Sequence, residues 1–349
     1  MLKKDYHVIL QIAAVFIGTI VGAGLASGQE ITQFFSTYGY MSFIGIIICC
    51  FIYIIFGRII INLSIKYNLK SYSDLIFLVN PSFVGKALDI IMGLFLVSSA
   101  AIILAGSGAL LHEFFRLSPI IGIFIMAAIS LYVLLMGTKG LIEINSFIVP
   151  SLSIVIITIF ILYLLFNNNV NLLYVKNIPA IKKAWLPSSL VYGGFNIFCC
   201  SGVLVPLSLE IKNKKNLFLG LTIGSVGLTI LSLIINLLLI LNIPYIFKYE
   251  IPLLYISNRF GRFIQSLLLL IIWLEMFSTE VSDIYSVSKS LNESINLSYK
   301  KSVFLIIAIA LPVSQIGFVN LISILYPAFG ILSLIFMLQC VYFYYKSNK

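Results

Sequence analysis

Gly18-Thr19-Ile20-Val21-Gly22-Ala23-Gly24-Leu25-Ala26-Ser27-Gly28-Gln29-Glu30 interrupts the first long apolar run of the chain. Four glycines and a carboxylate make poor material for an unbroken helix in lipid. Each glycine costs about 1 kcal/mol against alanine in a helix interior. A charge at bilayer depth costs at least a few kcal/mol. Non-helical backbone survives there only where protein or a water-filled cavity covers it. The stretch therefore predicts a broken first helix, its first half ending around Gly18 to Val21 and its second starting around Ala23 to Ala26, with a binding cavity at the break.

Composition extends this reading to the whole chain. Of 349 residues, 61% are hydrophobic and 10% charged, and the mean hydropathy is +1.11. Such a chain lacks the charge to cover a soluble surface. Apolar runs of about twenty residues recur along it, each long enough to cross a bilayer. The class is an all-α integral membrane protein of about ten spans, at 8–35, 40–62, 87–115, 119–136, 143–166, 186–211, 217–241, 262–287, 302–317 and 321–344. The basic opening, Met1 to His7, resembles the start of a signal peptide, but the apolar run after it is too long, so it reads as a retained helix. With the N-terminus inside, 15 of the 22 Lys and Arg residues fall on the cytoplasmic side, which places both termini there. The net charge of +10 reports this topology and not a nucleic-acid partner.

Enzyme chemistry finds no footing. His7 and His112 are the only histidines, and no HExxH, GxSxG, CxxC or P-loop pattern occurs. Cys49, Cys50, Cys199, Cys200 and Cys340 all fall inside spans and read as small apolar residues, with no disulfide or metal site.

Five spans per half mean that the second half enters from the opposite side of the membrane, the arithmetic of an inverted repeat. The expectation is one domain, 1–349, with repeats over about 7–166 and 186–345. Its test is the sixth span, where Tyr192-Gly193-Gly194-Phe195-Asn196-Ile197-Phe198-Cys199-Cys200-Ser201-Gly202-Val203-Leu204-Val205-Pro206 crowds glycines, polar residues and a proline into the middle. A second break is expected here, because paired interruptions in the two halves point to a midplane site.

Breaking a helix frees carbonyls on one half and N–H groups on the other. Carbonyls around Gly18 to Val21 suit a cation, and amides around Ala23 to Ala26 suit a carboxylate. In the eighth span, Glu275, Ser278, Thr279, Ser282, Asp283 and Ser286 fall along one helical stripe. These are hard oxygen ligands for an alkali ion or members of a proton relay. The rival reading is that the hydroxyls only glue helices together. Glu280 falls off the stripe. Glu30 is expected in an outer vestibule or as a latch to a neighbouring helix, and Asp283 nearer the cytoplasmic end. Ser99 is a candidate for lining the cavity from the third span.

Gly18 to Gly24 resembles the broken first helix of the amino acid–polyamine–organocation (APC) superfamily, which has the LeuT-type fold. Leu25-Ala26-Ser27-Gly28-Gln29-Glu30 and Gly106-Ser107-Gly108-Ala109-Leu110 resemble the YkvI-like group of bacterial membrane proteins within it. The resemblance implies a structural sodium ion held by the carbonyls of Gly18 and Val21 with the hydroxyls of Ser278 and Thr279. It implies a substrate carboxylate on the amides of Ala23 and Gly24, in a pocket completed near Asn196 and Ser201. Glu275 stands where a small residue is expected, which allows a proton to replace or assist sodium. The implied function is a secondary active transporter in the bacterial cytoplasmic membrane. It would move a small organic solute, an amino acid, coupled to sodium or protons by alternating access and with no other cofactor. Spans one, two, six and seven would rock against spans three, four, eight and nine. The alternative is a transporter-shaped ligand sensor resembling the membrane subunit of spore germinant receptors, which would need partner subunits.

Overall fold

In lipid, backbone polar groups must be satisfied within their own segment, so the apolar runs become helices. The computed structural model describes residues 2–136, 141–166, 175 and 178–347. Among these, nine helices are long and apolar enough to cross a membrane. They are α1 (Leu2–Ser27), α3 (Met41–Tyr67), α5 (Phe83–Phe115), α6 (Pro119–Met136), α7 (Leu141–Phe166), α8 (Trp185–Ile211), α9 (Lys214–Ile240), α11 (Arg262–Ile295) and α13 (Phe318–Ser347). A tenth, α12 (Tyr299–Ser314), is shorter and packs against α5, α6 and α11. Three short helices complete the order: α2 (Gln29–Phe34) extends the first span, while α4 (Tyr72–Val79) and α10 (Pro252–Ser257) lie in connections. A capping box starts α4, with Ser71 and Asp74 satisfying each other's backbone N–H.

Helix pairing carries the repeat. The first span packs on the seventh, the first on the fifth, and the fifth on the eighth. Exchanging each span for the one five places along turns these pairs into six with two, six with ten and ten with three, and all three are packed as well. That is the signature of two inverted five-helix units. Spans one, two, six and seven pack among themselves, as do three, four, eight and nine. Gly220 and Gly224 bring α9 close to α1: a Cβ at Gly220 would lie 2.6 Å from Cβ of Ile12.

The two glycine-rich spans behave differently. In α1 the backbone leaves helical geometry at Gly22, with φ +36° and ψ −174°. It bends again at Gly28, with φ +85° and ψ −3°, before α2 begins. Span six, in contrast, runs as one helix from Trp185 to Ile211, which corrects the expected second break. Its glycines are packing notches. A Cβ at Gly193 would lie 2.8 Å from Cδ1 of Ile52 on α3, and one at Gly194 would lie 2.8 Å from Oγ of Ser333 on α13. Pro206 sits inside the helix, where neighbouring spans allow a lost backbone hydrogen bond to be tolerated.

Candidate functional site

The site grows outward from Gly22. A Cβ there would meet no heavy atom of the described residues within 4 Å, so the break opens on space. Two residues on, Gly24 has its side-chain position filled from elsewhere. The bend at Gly28 folds Glu30 back so that its carboxylate lies against Gly24, where any Cβ would collide with it. Glu30 is 3% exposed. Tyr192 of α8 donates its hydroxyl to Oε2 of Glu30 at 2.8 Å, and Tyr326 of α13 also hydrogen-bonds to this carboxylate. Below, Nδ2 of Asn196 donates to the hydroxyl of Tyr53 on α3 at 3.2 Å. Rings wall the network: Phe34 with Tyr192 at 5.2 Å, and Phe195 with Tyr326 at 4.4 Å between centroids. One buried polar cluster thus joins spans one, two, six and ten.

A second carboxylate faces the same interior. Ser99 of α5 hydrogen-bonds to Asp283 of α11. Tyr326 and Cys199 each lie within electrostatic reach of both Glu30 and Asp283. Among the described residues no Lys, Arg or His side chain is buried. Two carboxylates facing one interior, with no buried base among the described residues, favour a cation as their partner.

Of the candidate ion ligands, Val21 and Ser278 are sealed from solvent, and a Cβ at Gly18 would lie 2.9 Å from Cγ2 of Val149 on α7. The helix α1 packs along both α7 and α11. Oγ1 of Thr279 donates to the Glu275 carbonyl at 3.0 Å, which spends its proton and leaves oxygen lone pairs for a cation. Glu275 is 1% exposed, and its Oε2 has no hydrogen-bond partner among the described residues.

Ala23, Gly24 and Ala26 are all buried in the short helix after the break. Ser201 does not join Asn196. Five residues apart on an unbroken helix, the two point to different sides, and the Ser201 hydroxyl donates to the Phe198 carbonyl at 2.5 Å. The tyrosines were not found from the sequence. Tyr53 and Tyr326 sit in otherwise apolar runs, where a buried phenol needs a partner, and Tyr192 stands four residues before Asn196 on one face. That pattern was the available signal. Over the broken span lies the connection between spans seven and eight: Oε1 of Glu113 accepts N–H groups of Glu250 and Ile251 at 2.5 and 3.1 Å, and Leu253 covers Gly28.

No protein-family model matches the chain. It is 32% identical over 327 residues to the uncharacterized membrane protein YkvI of Bacillus subtilis (strain 168), a match covering 94% of this chain and 93% of that one. Among solved structures, MhsT in complex with L-phenylalanine gives a TM-score of 0.69 at 14% identity, covering 94% of this chain and 88% of that chain. Mhp1, a nucleobase-cation-symport-1 family transporter with bromovinylhydantoin bound, gives 0.65 at 15% identity, covering 87% and 70%. The structural likenesses give the fold, which is of the LeuT type with about ten membrane helices. The identity with YkvI over nearly the full length of both proteins gives the family, and the chain belongs to that YkvI family of membrane proteins.

Proposed function

We propose that this protein is a secondary active transporter that carries a small organic solute, an amino acid, across the cell membrane by ion-coupled alternating access. The observation that carries the reading is the break at Gly22, open to space, with the buried Glu30 carboxylate lying against Gly24 two residues on. A solute ammonium group would complete Glu30, and the rings of Phe34, Tyr192 and Tyr326 would hold an apolar side chain. In the low dielectric of a closed site such a charge pair gains strength. The first-span carbonyls of Gly18 and Val21, with Ser278, Thr279 and Glu275, form the candidate ion site. The fold is shared with a cation-symport family transporter and with a protein crystallised with an amino acid, which supports the reading. The packing of spans one, two, six and seven against three, four, eight and nine supplies two bodies that can rock, with both termini on the cytoplasmic side.

Purified protein in liposomes should exchange labelled amino acids in counterflow and accumulate them under a sodium or proton gradient. Absence of uptake across amino acids and amines under either gradient would overturn the proposal. Saturable binding without counterflow would turn the reading toward a sensor that works with partner subunits. Thr279→Ala should weaken sodium-dependent binding, and sodium dependence equal to the wild type would remove the cation assignment.

A further inference from the structure

The connection between spans seven and eight lies where the two packed bodies meet over the break. Its short helix α10 packs against α1 and α9 on one side and α11 on the other. Ile251, Leu253, Leu254 and Ile256 are all sealed from solvent, so hydrophobic burial drives this segment into the protein. Leu253 fills the place beside Gly28, with Cγ 3.0 Å from where a Cβ would stand, at the bend that carries Glu30. The segment also holds its own shape. Tyr249 stacks on Tyr255 with ring centroids 4.2 Å apart, and the Ser257 hydroxyl donates to the Leu254 carbonyl at 2.8 Å.

What ties the segment down differs between its two sides. Toward spans one and seven the contact at Gly28 is apolar, made by Leu253 and Leu239. Such a contact is non-directional, so it does not by itself fix where the segment sits. Toward spans three and eight the ties are polar. Oε1 of Glu113, near the end of α5, accepts the N–H groups of Glu250 and Ile251 at 2.5 and 3.1 Å. Nε2 of Gln265 on α11 donates to the Leu254 carbonyl at 3.3 Å. Pro252 comes next in the chain and has no N–H, so those two amides are the last donors ahead of α10. Hydrogen bonds to a carboxylate are about twice as strong as neutral ones. Glu113 is therefore the strongest directional tie on the segment.

We propose that residues 249–257 form a lid over the break and that Glu113 is its clasp. While the clasp holds, Leu253 is seated over Gly28 and the break at Gly22 is closed toward the membrane face opposite the chain termini. When it lets go, the lid lifts and a solute reaches Glu30 from that face. Glu113 is a positioning residue and touches no solute. Its use as a gate rests on the transporter reading above, whereas the clasp on the lid does not.

Two measurements on the full chain in membrane vesicles separate these layers. Hydrogen exchange read by mass over 249–257 should run about 10- to 100-fold faster in Glu113→Ala, the effect of losing a hydrogen bond to a charged group. Glu113→Gln keeps an acceptor oxygen and loses the charge, so its rise should be smaller. The gate is read at Cys199, which is partly exposed and within electrostatic reach of Glu30 and Asp283. In Glu113→Ala a membrane-impermeant maleimide should label Cys199 faster from the face opposite the termini and more slowly from the termini's own face. The proposal falls if the lid of a folded Glu113→Ala exchanges as the wild type does. It also falls if labelling from the opposite face does not rise, or if labelling from the termini's face does not drop, since loosened packing would explain such a result. Should Glu113→Ala fail to fold, Glu113→Gln decides, and wild-type exchange and labelling in that variant overturn the clasp. A wild type that carries no solute, beside a lid that loosens in Glu113→Ala, refutes the transporter reading and leaves the clasp.

Discussion

Spans one and six hold equivalent places in the two repeats, and both are rich in glycine, yet only the first is broken. The difference lies in what stands opposite each glycine. Gly22 takes a positive φ and looks into open space. Gly193 and Gly194 keep helical backbone and receive Ile52 and Ser333 where their side chains would be. A glycine in a membrane helix is a hinge in the first setting and a notch in the second. The result is an asymmetric site: the broken span supplies the carboxylate, and the unbroken span supplies Tyr192, one of the two hydroxyls that hold it.

The largest expected effect comes from cutting the link between the two spans. Glu30→Ala removes the carboxylate that Tyr192 and Tyr326 grip. Hydrogen bonds to charged groups are worth about 1.5–3 kcal/mol, so solute binding should fall about 10- to 100-fold. Tyr192→Phe, which leaves the Tyr326 bond in place, should fall less. Binding isotherms on purified protein provide the check, and wild-type affinity in Glu30→Ala would move the solute site away from the break.

Next come the glycines themselves. Gly194→Leu forces a side chain into Ser333, Leu334 and Met337 and should cost about 1–3 kcal/mol of stability, visible as a lower Tm. Gly22→Ala meets nothing among the described residues, so its cost is conformational, about 1–3 kcal/mol for an alanine held at positive φ with an extended ψ. Transport should therefore suffer from Gly22→Ala more than its Tm does, with the reverse in Gly194→Leu. Equal behaviour of the two variants would erase the distinction between hinge and notch.

The sequence disclosed what local chemistry controls. Gly18 to Glu30 read as a break because glycines and a charge are locally incompatible with a lipid-facing helix. The polar stripe of α11 followed from 3.6-residue periodicity alone. Span six misled because whether Gly193 bends or packs depends on Ile52, a residue far away in the chain that becomes its neighbour only on folding. Glu30 folding back on Gly24, and three tyrosines from three spans converging on one network, have the same long-range origin. Glu280 was set aside for lying off the stripe, although a buried carboxylate on an apolar face is the more demanding feature.

A smaller effect separates adjacent thiols. On an unbroken helix Cys199 and Cys200 point about 100° apart, and the structure leaves Cys199 partly exposed and Cys200 sealed. A bulky maleimide should label Cys199 and spare Cys200, with solute protecting the former. Comparable labelling of both would mean that span six unwinds as span one does.

Pro206 gives the mildest and most discriminating test. Proline in a helix interior removes one backbone hydrogen bond, here to the carbonyl of Gly202, and in water that costs about 3 kcal/mol. Alanine at 206 would restore the bond. If α8 moves as a rigid rod with its helical partners, nothing about the cycle requires the proline, so Pro206→Ala should raise Tm slightly and change uptake by no more than about twofold, within the 0.5 kcal/mol typical of neutral substitutions. Collapse of uptake with a raised Tm would make Pro206 the flexible point of span six. The two repeats would then each have one moving joint, placed at Gly22 in the first and below the glycine notches in the second.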